Sequence, residues 1–184
     1  MKDKRYLDTY SLVLCAMFTA LSIIGAFIKI PVPYVPITMQ LTFTTLAGLL
    51  LGAKRGTISV LAYVILGLAG LPVFTQGGGI GYVFQPTFGY IIGFVFGTFA
   101  AGIIVGNGKN VCYKRHLIGS FVSLFTCYTF GTVYFYIIMN LYLDKNIGLS
   151  TVLLSCFITV IPGDIIMSFL SAWLAKKLRP HIKY

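Results

Sequence analysis

The 184-residue chain contains no glutamate and only four aspartates, Asp3, Asp8, Asp144 and Asp164. Only Asp164 lies inside an apolar run, so two carboxylates cannot meet there, which argues against an enzyme built on a carboxyl dyad. A proton-driven pump is disfavoured as well, because a relay needs several titratable groups. The chain has no GxxxxGK[ST] loop to cradle phosphate, so it does not hydrolyse ATP itself. Gly77–Gly81 holds no GxGxxG leading into a helix, and neither HExxH nor GxSxG occurs. The two histidines, His116 and His181, are unpaired in sequence, and no metal site is expected. Cys15, Cys112, Cys127 and Cys156 show no CxxC spacing and read as small apolar residues. No cofactor is implied.

Charge is scarce too. Charged residues make up 10% of the chain and hydrophobic ones 58%, against about 25% and about 45–50% in soluble domains. Mean hydropathy is +0.91. Apolar runs recur into the C-terminal part, so a removable signal peptide does not explain them. This is the composition of an integral membrane protein with a single domain over residues 1–184. The net charge of +10 lies in short groups between apolar runs, without basic arms interleaved with aromatics, so no nucleic-acid face is expected.

A spanning helix needs about 20 apolar residues. Six spans are expected: Tyr10–Ile30, Met39–Leu51 (short for a full crossing), Gly56–Leu71, Phe84–Val105, Leu117–Leu141 and Ser150–Ala175. Basic residues test that count. Lys2, Lys4 and Arg5 precede the first span, and Lys54 and Arg55 separate the second from the third. Lys109, Lys114 and Arg115 separate the fourth from the fifth. Lys176, Lys177, Arg179 and Lys183 follow the sixth. With six crossings, twelve of the fourteen Lys/Arg fall on one side. The expectation is an all-α bundle with both termini cytoplasmic, in a prokaryotic cell membrane.

The stretch from Leu71 to Tyr90 interrupts the apolar pattern with Gly77, Gly78, Gly79, Gly81 and Gly89 and two prolines. In a membrane protein such backbone either forms an outer connection or lines a protein-covered, watery cavity. Ile30-Pro-Val-Pro-Tyr-Val-Pro36 is held extended by its prolines and delivers Thr38 and Gln40 to the second span. That polar pair either caps the helix or faces a ligand. Asp164 follows Pro162-Gly163, which should loosen the sixth span just before it. An acid at membrane depth is a functional candidate by default, or else a packing partner for a neighbouring helix. Ala16 and Ala20 share a helix face that admits close approach, either within the bundle or by another protein.

Taken together, Pro33-Tyr-Val-Pro-Ile-Thr-Met-Gln40, Leu46-Ala-Gly-Leu-Leu-Leu-Gly-Ala53, Leu66-Gly-Leu-Ala-Gly-Leu-Pro-Val-Phe74, Gly78-Gly-Ile-Gly81, Pro86-Thr-Phe-Gly-Tyr-Ile-Ile-Gly-Phe94 and Pro162-Gly-Asp164 resemble the BioY family. These are the biotin-binding S components of energy-coupling factor (ECF) transporters, and the pieces occur in family order. The resemblance implies a six-helix S-component bundle with a pocket open to the outside. It also implies biotin as ligand, and as partners a transmembrane coupling protein and two cytoplasmic ATP-binding-cassette ATPases. Ala16 and Ala20 would then form the AxxxA face that docks on the coupling protein.

Biotin offers a ureido group, an apolar ring and chain, and a carboxylate. Asp164 would accept from the ureido N–H groups, or from donors that orient it, and Gln40 can both donate and accept. Phe74, Tyr82, Phe84 and Tyr90 would supply aromatic walls. Thr87 completes the implied site, and N–H groups at Gly78, Gly79 and Gly81 would meet the carboxylate. Two positions depart from the family. Met167 stands where many relatives have lysine, and Gln85 where they tend to have glycine. Lys29 is the candidate to supply the missing cation. The alternatives are an S component for a different vitamin and a membrane adaptor without a small-molecule ligand. A lipid-processing enzyme is a weaker rival for want of a nucleophile–base pair.

Overall fold

The computed structural model describes residues 8–31, 35–106, 108, 110–154 and 160–182. The expectations for Lys2, Lys4, Arg5, Pro33, Lys109, Cys156 and Lys183 lie outside the described residues. Among the described residues the chain is mostly helical, and four helices are long and apolar enough to cross a membrane.

Helix α1, Thr9–Phe27, opens on Asp8, whose carboxylate accepts from the Thr9 N–H at 2.8 Å. Its buried face carries Ser11, Cys15, Phe18, Thr19 and Ser22, while Leu12, Val13, Met17 and Ile24 point outward. Its hydroxyl-bearing residues Ser11, Thr19 and Ser22 face the protein and most of its large apolar ones face away, as suits a helix solvated by lipid. The Thr19 hydroxyl donates to the Cys15 carbonyl at 2.9 Å and lies 2.8 Å from the Ser59 carbonyl, tying α1 to the next helix.

A two-residue antiparallel pair follows, β1 (Lys29–Ile30) with β2 (Ile37–Thr38). It brings the chain back to the end of α1, where the Met39 N–H donates to the Ile28 carbonyl at 3.2 Å. Helix α2 spans Gln40–Leu68 but breaks at Gly52, where φ is 78° and ψ 178°. Only glycine takes that left-handed φ cheaply. In a straight helix Gln40 and Tyr63 would stand about 34 Å apart. Instead the Gln40 amide donates to the Tyr63 hydroxyl at 2.5 Å. The two halves of α2 are therefore antiparallel and meet along their length. The reversal falls at Gly52, between the residues expected for the second and third spans.

After α2 the Gly-rich stretch folds on itself. Phe74 and Gly77 exchange backbone hydrogen bonds (2.9 and 3.3 Å), and a 3-10 turn covers Ile80–Phe84. Helix α3, Phe88–Val105, therefore begins four residues later than the expected span. Helix α4, Tyr113–Ile137, begins four residues earlier than expected and runs on as a π-helical segment, Ile138–Tyr142. Helix α3 packs between α2 and α4, and α4 against α6. The fit is close: a side chain on Gly102 would strike the backbone of Ala53 at the α2 reversal. Hydroxyl pairs bind the layers, Thr98 donating to the Thr44 carbonyl at 2.9 Å and Thr45 meeting Ser123 at 2.8 Å.

A short α5, Leu149–Leu153, precedes α6, Ile161–Leu178. Pro162 and Gly163 stand in the first turn of α6, where proline's missing N–H costs nothing, and Asp164 follows them in the same turn.

Arg179, counted above with the basic residues that follow the sixth span, is fully buried. Its guanidinium donates to the carbonyls of Leu49, Gly106 and, at 2.8 Å, Gly108. Gly106 caps α3, and Leu49 lies three residues before the α2 break. Both carbonyls sit at helix C-termini, which lack intrahelical partners and carry negative partial charge.

Candidate functional site

A hollow opens between the starts of α2, α3 and α6 and the second half of α4. Its wall includes Val35, Thr38, Gln40, Thr75, Tyr82, Thr87, Tyr90, Phe94, Tyr128 and Asp164. It comprises about 560 Å3 of unfilled space, counting its mouth. Lys54 and Arg55 flank the α2 reversal, Lys114 and Arg115 begin α4, and Lys176 and Lys177 end α6. Asp164 is twelve residues, about 18 Å of helix, from Lys176. The hollow thus lies at the pole opposite the basic one.

Asp164 is buried, and its carboxylate accepts from the Tyr128 hydroxyl at 2.7 Å. Its place in the first turn of α6 sets it in the positive end of the helix dipole. Among the described residues Asp164 has no ion-pair partner. One tyrosine and one helix end compensate it only in part, since a buried carboxylate accepts several hydrogen bonds. The acid therefore suits a ligand that brings N–H donors.

Gln40 is 4% exposed. It does not cap α2: the N-cap is Met39, which has no side-chain cap bond. Instead its amide reaches Tyr63 and its oxygen accepts from the Thr38 hydroxyl at 3.4 Å. Tyr63 in turn lies edge-on to Phe74, ring centroids 5.3 Å apart, and Phe74 tilts against Tyr82 at 4.6 Å. The Tyr82 hydroxyl meets those of Thr75 at 3.0 Å and Thr87 at 3.4 Å. Tyr90 and Tyr128 lie edge to face at 6.0 Å.

The structure brings Gln40, Tyr82, Thr87, Tyr90 and Asp164 to one hollow. Phe74 stands behind the wall, 1% exposed and pressed against Gly67. Gly78, Gly79 and Gly81 are not in the wall. The Gly79 N–H is taken by the Gly67 carbonyl at 2.7 Å, and Gly79 has φ 102°. These glycines shape the loop itself. Phe84 is half exposed and stacks on Tyr142. Lys29 is exposed and donates to the Thr75 carbonyl at 2.8 Å, at the back of a wall residue. Neither Gln85 nor Met167 lines the hollow.

Sequence reasoning missed Tyr128, the donor to Asp164. It sits mid-helix in an aromatic-rich run, Phe125-Thr-Cys-Tyr-Thr-Phe130, with no local signal to separate it from lipid-facing neighbours. Ala16 and Ala20, by contrast, are exposed on the outward side of α1, so internal packing does not explain their small size.

The BioY family profile matches residues 1–184. The chain is 44% identical over 171 residues to a probable biotin transporter BioY of Lysinibacillus sphaericus, covering 93% of this chain and 87% of that one. It is 33% identical over 172 residues to the biotin transporter BioY of Thermotoga maritima, with 91% and 95% covered. The fold is similar to the crystal structure at 2.1 Å of the S-component for biotin from an ECF-type ABC transporter. That match has a TM-score of 0.79 at 31% identity, over 97% of this chain and 94% of the other. Matched from end to end by the family profile and by relatives of its own length, the chain belongs to the BioY family.

Proposed function

We propose that this chain is the substrate-binding membrane subunit of an ECF-type importer, taking biotin from the outer side and passing it inward. The observation that carries the reading is Asp164, a buried and incompletely compensated acid facing a polar and aromatic hollow at the pole away from the positive charge. The ureido N–H groups would meet the carboxylate. Gln40 and Thr87 would hold other polar atoms, and Tyr82 and Tyr90 would clasp the ring and chain. Phe74 acts from behind, by holding Tyr82. Gly78, Gly79 and Gly81 would let the outer loop fold tightly over the mouth.

The whole chain is read as one six-helix domain. The reversal at Gly52 supports two crossings within α2, and the even spacing of basic groups supports cytoplasmic termini in a multi-pass cell-membrane protein. The chain has no nucleotide-binding loop, so energy must come from elsewhere: two cytoplasmic ATPases acting through a transmembrane coupling protein. Binding without turnover fits the absence of a nucleophile–base pair, so the chain itself is not an enzyme.

Isothermal titration of the purified protein with biotin tests this reading. One saturable site is expected; no heat at millimolar biotin would reject it in favour of another ligand or an adaptor. The exposed Ala16 and Ala20 support docking of the coupling protein on α1. In Ala16→Trp, biotin affinity should be unchanged while co-purification with the coupling protein is lost. Intact co-purification would reject the docking role.

A further inference from the structure

A second hollow lies at the basic pole, between the start of α4 and the end of α6. It comprises about 730 Å3 counting its mouth, lined by Tyr113, Trp173, Lys176 and Lys177. The Lys176 ammonium stands 6.0 Å from the Tyr113 ring centre, and that of Lys177 stands 5.4 Å from the Trp173 ring. Among the described residues neither lysine has a carboxylate partner. The negative end of the α6 dipole explains two cations in its last turn. It does not explain a hollow held open between two helices. Helix α4 begins at the same place with its positive end, and its N-cap, Cys112, has no side-chain cap bond. Two ammonium groups and a free helix start therefore converge on one opening, a setting for an anion.

What lies beside the opening selects the kind of anion. Ile166, Phe169, Leu170 and Trp173 are exposed along α6, and Ile118 along α4. They form an apolar face leading from the opening towards the middle of the molecule. Tryptophan and tyrosine at a helix end are the usual anchors at headgroup depth, and basic pockets between membrane helices take anionic headgroups. We propose that this hollow holds the phosphate of an anionic phospholipid, whose acyl chains lie along α6. The site is separate from the biotin hollow and does not depend on it.

Native mass spectrometry of the detergent-solubilised protein tests this, with dioleoylphosphatidylglycerol and dioleoylphosphatidylcholine supplied in equal amounts. The protein should retain phosphatidylglycerol at least about fivefold over phosphatidylcholine. Lys176→Gln with Lys177→Gln should abolish that preference and leave biotin titration unchanged. Lys176→Arg with Lys177→Arg should keep it. Equal retention of the two lipids, or undiminished preference in the glutamine pair, would overturn the proposal. So would full displacement of the lipid by millimolar inorganic phosphate, which would make this a plain anion site. If the glutamine pair does not fold, the lipid ratio of the unaltered protein decides the question.

Discussion

Asp164→Asn should weaken biotin binding at least tenfold, about 1.4 kcal/mol. The substitution changes little in size. The asparagine oxygen can still accept from Tyr128, which bonds one carboxylate oxygen at 2.7 Å in the present structure. The amide NH2 then replaces the second oxygen and presents donors where the ligand is read as bringing its own. A donor facing a donor forfeits the hydrogen bond and leaves polar groups unpaired, which costs about 1–3 kcal/mol. Titration calorimetry on the variant measures the loss. An unchanged dissociation constant would make Asp164 a packing residue, bonded to α4 for structure alone. Tyr128→Phe makes a useful companion. It removes the side-chain donor to the acid while leaving both carboxylate oxygens for the ligand, so its effect on affinity should be smaller than that of Asp164→Asn.

Arg179→Ala should produce the largest loss of stability. The guanidinium satisfies three carbonyls from two distant pieces of chain: Leu49 near the α2 reversal, and the α3 cap Gly106 with Gly108 just beyond it. Hydrogen bonds to a charged group contribute about 1.5–3 kcal/mol each. Three acceptors left bare in a buried spot, with an empty space beside them, cannot all be re-satisfied by small shifts. A fall in apparent Tm in detergent of ten degrees or more is expected. Arg179→Lys should recover only part of it, because one ammonium cannot spread a planar fork over three carbonyls. A thermal midpoint unchanged in Arg179→Ala would show that the latch is dispensable. Biotin affinity measured well below the melting range should stay near normal, since the latch lies at the opposite pole from Asp164.

Much of the helix pattern is legible because lipid leaves few choices. A backbone that meets no water must satisfy itself within helices, so apolar runs of spanning length can be read directly. Thr9–Phe27 starts one residue before its expected span and ends three residues short of it, and Phe88–Val105 ends where expected. The breaks between runs are harder to read. A glycine among leucines, as at Gly52, looks the same in sequence whether it packs, kinks or reverses the chain. The site divides along similar lines. Asp164 stands out because an acid in an apolar run is costly wherever it goes. Gln40 and Tyr82 stand out as polar or amphipathic residues next to breaks. Tyr128 and Arg179 do not, because each takes its role from a helix far away in the chain.

Composition, the lone membrane acid and the grouping of positive charge pointed to a lipid-embedded helical protein, since each reflects a local cost of placing polar groups in hydrocarbon, while the resemblance to the BioY family rested on the ordered sequence motifs. Tertiary structure alone decided that α2 doubles back at one glycine, that Tyr128 holds Asp164 at the wall of a hollow, and that Arg179 is an internal latch and not a surface charge. Those facts depend on which distant segments come within hydrogen-bonding reach, and no local preference along the chain records that.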